Sequence, residues 1–326
     1  MIFPRIPIFI CCSLLLTACV EHTFFFEVNP DGSFRLDYSA SGDREDLLDP
    51  DFTPPSGQGW IVESNLHDND AETYDYSASA EFACNSQLPT TFYNGDSINH
   101  AAVLQHPLEI KTRNFLLFKT YDFSAVIRGR EITAKYPLLK TLLDEEEEND
   151  AEGILAEILS YMMRETLSRS QIGFNLEPVV RADAERWLND YVLNQPDETI
   201  EERFGELRRD GLDILQQAVP PEHYPTMDSI YQLLFDEARM TQALSDDEFR
   251  YVLILPGTLE TTNADTTRGD TLEWTFQLNH YADEDFTMNA SSRIEYPARY
   301  RLAFGILVII LMSMAIAGWR SMAWNQ

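Results

Sequence analysis

Six histidines, four cysteines and 54 acidic residues are the side chains of this 326-residue chain that could act as nucleophiles, proton carriers or metal ligands. Their spacing organises little of that chemistry. His22, His67, His100, His106, His223 and His280 never recur at i,i+4, and no His-Glu-x-x-His zinc pattern occurs. There is no Gly-x-Ser-x-Gly elbow, no glycine-rich phosphate loop and no Ser-x-x-Lys pair. Asp68, Asp70 and Glu72 alternate as a cation chelate does, but they lack the glycine and distal glutamate of a calcium loop, so a solvated turn is expected. The acidic run from Asp144 to Glu148 is contiguous rather than spaced for a site, which fits an exposed helix end or linker. Cys84 has no basic or histidine neighbour to stabilise a thiolate and is expected to be a buried structural thiol. No catalytic residue, metal ligand or cofactor site is assigned, and a non-enzymatic role is expected. A hydrolase with an unlocated carboxylate pair is the alternative.

The remaining cysteines belong to a different chemistry. Arg5 precedes an apolar stretch from Ile6 to Leu16, broken by Pro7, Cys11, Cys12 and Ser13 and too short to span a bilayer comfortably. It runs into Leu16-Thr17-Ala18-Cys19, which resembles the bacterial lipobox. That resemblance implies a thioether-linked diacylglycerol on Cys19, removal of residues 1–18 as a signal peptide and an exported mature chain. An ordinary signal peptide or uncleaved anchor with a chance cysteine is the other reading. With Cys11 and Cys12 in the signal and Cys19 lipidated, Cys84 stands alone, so no disulfide framework forms within the mature chain.

At the far end, residues 302–319 are uncharged and cover roughly 27 Å as a helix, close to the thickness of a hydrocarbon core. Tyr296 and Tyr300 flank one edge, Trp319 and Trp324 the other, as aromatic belts do. A transmembrane helix is expected there, followed by a short cytoplasmic tail at 320–326. Arg299 and Arg301 before the helix against Arg320 after it would by charge count put the preceding domain in the cytoplasm. The export signal argues the opposite and is preferred, because large domains translocate largely regardless of flanking charge. The expected location is the inner membrane, with the bulk of the chain on the periplasmic side. Leu255-Pro-Gly-Thr-Leu259 superficially resembles a sortase signal, but its fifth residue and its distance from the terminal helix are wrong.

Twenty-four basic against 54 acidic residues leave a net charge of −30, which disfavours nucleic acid as a partner and fits a solvated acidic surface. The exported part is large enough for a sizeable core. It reads as α+β, with antiparallel β-rich blocks at 19–140 and 247–297 around a helical subdomain at 141–246. Thr23–Val28 and Ser33–Tyr38 flank Asn29-Pro-Asp-Gly32, a hairpin signal, and Phe34, Leu36 and Tyr38 alternate with polar residues. Further strands are predicted at 60–64, 73–83, 113–127, 249–255, 271–278 and 286–291. Helices are predicted through Ile154–Leu167, from a capping box at Thr199 and Glu202 to Ala218, and over Thr226–Leu244. The Met162-Met163 pair is read as core.

This layout resembles the mycobacterial lipoprotein M type (LppM-like) envelope domain. The likeness rests on the Phe-rich strand and Pro-Asp-Gly turn at Phe24–Leu36 straight after the lipobox, and on the terminal helix. It rests also on Val252-Leu-Ile-Leu-Pro-Gly257 with Thr262-Asn263-Ala264 and Thr271-Leu-Glu-Trp274. It covers about half the chain, leaves the helical block as an insertion, and carries no site residue across. It implies a ligand-binding fold suited to a lipid or glycolipid. The partners expected are thus the membrane, through lipid anchor and helix, and a lipid or an envelope protein.

Overall fold

A computed structural model describes residues 20–43, 47, 54–66, 73–86, 107–145, 151–169, 206, 209–217, 220–245 and 247–323. The signal segment and Cys19, the Asp68–Glu72 cluster and the Thr199–Glu202 capping box lie outside the described residues.

The hairpin forms as its residues dictate. Strands β1 (Glu21–Val28) and β2 (Phe34–Asp43) pair antiparallel through a turn in which Gly32 takes φ +97°. The Ser33 hydroxyl and amide both donate to Asp31, and these bonds hold the Asp31 carboxyl below its ordinary value. A Cβ on Gly32 would stand 2.6 Å from Cys84 Sγ and 2.7 Å from Thr112 Oγ1, so the turn also needs glycine for space. Cys84 itself is exposed, not buried as expected: it follows the end of the next long strand, in a turn where alternation no longer turns side chains inward.

Eleven strands among the described residues build two sheets. β3 (Ile61–Leu66) and β4 (Thr73–Phe82) extend the hairpin. β7 (Glu248–Ile254), β9 (Thr266–Arg268) and β10 (Thr271–Phe276) complete a seven-stranded sheet ordered β3-β4-β2-β1-β7-β10-β9. β5 (Leu108–Asn114), β6 (Phe118–Ile127), β8 (Thr258–Thr262) and β11 (Phe286–Glu295) form the second sheet, ordered β5-β6-β11-β8. The expected single strand over 113–127 is two strands, because Phe115-Leu-Leu117 makes a hairpin tip closed by a hydrogen bond from Phe115 N to Phe118 O. One pairing had no counterpart in the sequence pattern: β1 lies parallel to β7, more than 200 residues later.

The inner faces meet in a layer of aromatic rings. Phe26 and Trp274 of the large sheet each pack 5.6 Å from Phe123 of the small one, and Phe24 lies 4.6 Å from Tyr251. All five rings are buried. Aromatic pairs in offset or tilted geometry contribute beyond their area, so the layer is the main cohesive element between the sheets.

The chain then passes from one sheet to the other through the two motifs quoted above. Pro256-Gly257 carries β7 into β8, with Gly257 at φ +93° and a hypothetical Cβ only 2.3 Å from Arg293 O. Asn263 bridges the sheets on the way back. Its Oδ1 accepts from Trp274 Nε1 (3.1 Å) and Asn289 N (2.7 Å), while its Nδ2 donates to Thr287 O (2.7 Å).

Helices begin at Ile132. α1 (Ile132–Lys135), α2 (Pro137–Glu145), α3 (Ala151–Arg169), a helical stretch at 209–217 and α4 (Tyr224–Ala243) connect β6 to β7. Ile158, Leu159, Met162 and Met163 of α3 are buried, as their spacing required. Arg130 and Lys135 fasten α4: Arg130 Nη2 donates to Thr241 Oγ1 (2.5 Å) and Lys135 Nζ to Glu237 Oε1 (2.5 Å).

The last helix, α5 (Pro297–Ala323), starts five residues before the apolar stretch. Pro297 is suited to a first helical position, and Arg299 N and Tyr300 N already donate to Tyr296 O. Pro297–Ile316 is long and apolar enough to cross a membrane, and none of its most apolar window is buried.

The two ends of the domain are distinct. At one, Lys119 Nζ and Tyr121 Oη donate to Pro30 O in the β1–β2 turn, and β11 leads into α5. Burial pushes the Tyr121 phenol up to about 12, which keeps it a donor. At the other, Phe286 at the start of β11 rests 4.8 Å from Phe276, which pairs with Phe249 opposite His22 near the start of β1. Ten residues of β11 span about 30 Å between these ends. Val20 and Pro297 therefore leave the domain at opposite ends.

Substituting Asn263→Ala should lower stability by about 2–3 kcal/mol, since the buried Trp274 N–H loses its acceptor. Gly257→Ala should lower it by about 1–3 kcal/mol through backbone strain. Denaturant unfolding of the full chain in detergent, followed by tryptophan fluorescence, reads both.

Candidate functional site

The outer face of the large sheet carries a trough of about 320 Å³. Directly opposed residues of paired strands share a face, and the register assembles two polar rows. Glu21, Ser41 and Asp75 form one; Thr23, Ser39, Ser77 and Glu63 form the other. Short hydroxyl side chains make the floor, and the longer acidic ones stand at the margins. Ala40 and Tyr76 complete the lining. Ser41 Oγ donates to Asp75 Oδ1 at 2.7 Å, and Tyr76 Oη donates to Pro55 O at 2.8 Å from below.

Beyond the lining, the same face continues with Asp37 and Ser79 and then Arg35. Arg35 Nε donates to Asp37 Oδ1 (2.8 Å), and Ser79 Oγ donates to the same oxygen (2.6 Å). Partial burial alone would raise the Asp37 carboxyl, but these two donors and the arginine charge outweigh it and hold the group below its ordinary value. The nine lining residues include three carboxylates, four hydroxyl side chains of serine or threonine, and no lysine or arginine. Such a lining can accept several hydrogen bonds and donate a few. It suits a polyhydroxylated ligand and offers no counter-charge to a phosphate.

A second polar group lies on the opposite face of the same strands. His22 Nδ1 is 2.8 Å from Tyr38 Oη, and His22 Nε2 is 3.4 Å from Asp247 Oδ2. Burial first, and then the Asp247 charge, push the Tyr38 phenol well above its ordinary value, so the hydroxyl stays protonated beside the imidazole. A tyrosine–histidine–aspartate chain has the composition of a proton relay. Here, however, the three residues are only 1–4% exposed, and Phe249 stacks on the imidazole at 4.8 Å. The arrangement holds the first residues of β1 to the loop that enters β7.

Of the residues singled out in the sequence, Cys19, Asp68, Asp70, Glu72, His67, His100 and His106 lie outside the described part. His280 accepts from Gln277 N in a helix-start capping box. Among the described residues, no group of three or more His, Cys, Asp or Glu is placed to hold a metal ion. Both polar constellations escaped sequence reading. The trough depends on strand register across four strands, and the His22–Asp247 contact spans 225 positions; neither leaves a local spacing signal.

No protein-family model matches the chain, and no curated protein sequence matches it. Among solved structures, the chain is similar to the folded domain of Mycobacterium tuberculosis LppM, determined by NMR. The match has a TM-score of 0.34 and 11% identity, and covers 87% of this chain and 94% of that one. This is a weak, partial similarity to a mycobacterial lipoprotein domain.

Replacing Tyr38 by Phe removes the hydroxyl partner of a buried imidazole. The expected loss is about 1–3 kcal/mol in chemical denaturation of the full chain, with the groove unaltered.

Proposed function

We propose that this chain is an exported envelope lipoprotein, lipidated at Cys19 and held in the inner membrane by α5, with its folded domain on the periplasmic side. We infer further that the domain is a binding module rather than an enzyme. Its ligand is an uncharged envelope saccharide, such as the head group of a glycolipid, taken up in the trough of the large sheet.

The trough carries this reading. Hydroxyls at its floor and carboxylates at its margins match the donor-rich surface of a sugar, and the acidic margin repels phosphate and nucleic acid alike. The unburied apolar length of α5 supports the membrane anchor. Burial of His22, Tyr38 and Asp247 supports binding over catalysis, because no substrate touches the relay-like group while the core stays packed. Carboxylates gathered at Glu21, Glu63 and Asp75 favour one second reading, a glycan hydrolase.

Native mass spectrometry of the full chain extracted from its own membranes is expected to show a bound glycolipid or oligosaccharide. Ser77→Trp, which fills the floor, should weaken that binding by about tenfold or more, equivalent to about 1.4 kcal/mol, with an unchanged circular dichroism spectrum. A ligand-free native protein, or equal retention by the variant, overturns the reading. Shortening of the bound glycan by the native protein but not by Asp75→Asn replaces binding with hydrolysis.

A further inference from the structure

The end of the domain next to α5 presents apolar side chains that the core does not use. In the β5–β6 tip, closed by Phe115 N donating to Phe118 O, Leu116 is 77% exposed and Phe115 44% exposed. The tip is fastened to the start of the helix. Tyr296 N donates to Leu117 O at 2.9 Å, and Arg299 Nη1 donates to Leu116 O at 3.2 Å. Leu116 is thereby held beside the first turn of α5, level with the Pro297–Arg301 segment rather than up on the domain wall.

The surrounding charges and rings suit a lipid head-group zone. Arg299 stacks over the Tyr296 ring at 4.2 Å, and Arg293 over Phe118 at 3.9 Å. Arg293 is also paired with Glu260, but Arg299 and Arg301 are exposed. In a chain of net charge −30, this places basic and aromatic side chains around an apolar tip at the one end from which an apolar helix departs. Arginine, tyrosine and exposed leucine or phenylalanine are the residues that partition into a bilayer interface.

We propose that the Phe115–Leu116 tip inserts into the interface of the same membrane that α5 crosses, forming with Tyr296, Arg299 and Arg301 a collar that seats the domain upright on the bilayer. The proposal rests on the membrane-crossing reading of α5. The seated domain has its strands steeply inclined to the surface, and the start of β1 stands about 30 Å above it. Val20 then lies at the end of the domain away from that leaflet.

The full chain, with Cys11, Cys12, Cys19 and Cys84 all replaced by serine, is reconstituted into vesicles of phosphatidylethanolamine and phosphatidylglycerol carrying nitroxide lipids. An environment-sensitive fluorophore is attached to a single cysteine introduced at Leu116, at Ile61, at Glu21 or at Leu302. The collar predicts strong quenching at Leu116 and Leu302. Ile61, which is 72% exposed on edge strand β3, and Glu21 should be quenched several-fold less. Quenching at Leu302 with none at Leu116 overturns the collar and leaves the membrane helix intact. Absence of quenching at Leu302 overturns the membrane helix itself. Quenching at Glu21 equal to that at Leu116 shows a domain lying on its side and overturns the upright seating. Labelling at these exposed positions leaves the core untouched, and matching circular dichroism spectra verify the fold.

Discussion

The confinement of β1 governs the rest of the molecule. This strand is paired along both edges, antiparallel to β2 and parallel to β7, and its inward residues Phe24, Phe26 and Val28 lie in the aromatic core. Val20, one residue before β1, is already buried and its carbonyl accepts from Glu248 N, so the chain is fixed from the first described residue. Freeing that segment means breaking two ladders and exposing His22 and its partners, a cost comparable with a large part of a domain's net stability.

That confinement gives the domain a direction. Val20, just before β1, and Pro297, at the start of α5, lie at opposite ends, about 30 Å apart along β11. The helical block between β6 and β7 sits at the end remote from α5, anchored by the Arg130 and Lys135 contacts to α4. The trough lies on the lateral face, its two rows near the start of β1.

The polar design of the two faces also separates stability from recognition. On the inner face, the His22, Tyr38 and Asp247 group is buried. On the outer face, the same strands carry hydroxyls and carboxylates open to solvent. Period-two alternation makes this possible, because each strand contributes every second residue to a different task. The Thr262-Asn263-Ala264 and Pro256-Gly257 motifs, which carried the family resemblance, prove to be devices for passing the chain between sheets.

Local patterns determined much of this protein. Alternating Phe34, Leu36 and Tyr38, the Asn29–Gly32 turn, the spacing of Ile158 to Met163 and the uncharged run from Leu302 each encode an element, because turn chemistry and hydrophobic period act within a few residues. The lipobox likeness at Cys19 is likewise a matter of adjacent residues. Tertiary structure decided the remainder. Only folding brings β1 beside β7, splits the expected strand at Phe115–Leu117, exposes Cys84 and gathers Glu21, Ser41, Asp75 and Glu63 into one trough. Those outcomes depend on pairing between segments tens to hundreds of residues apart. Such register is selected by the packing of whole faces, a global property that no short window of sequence contains.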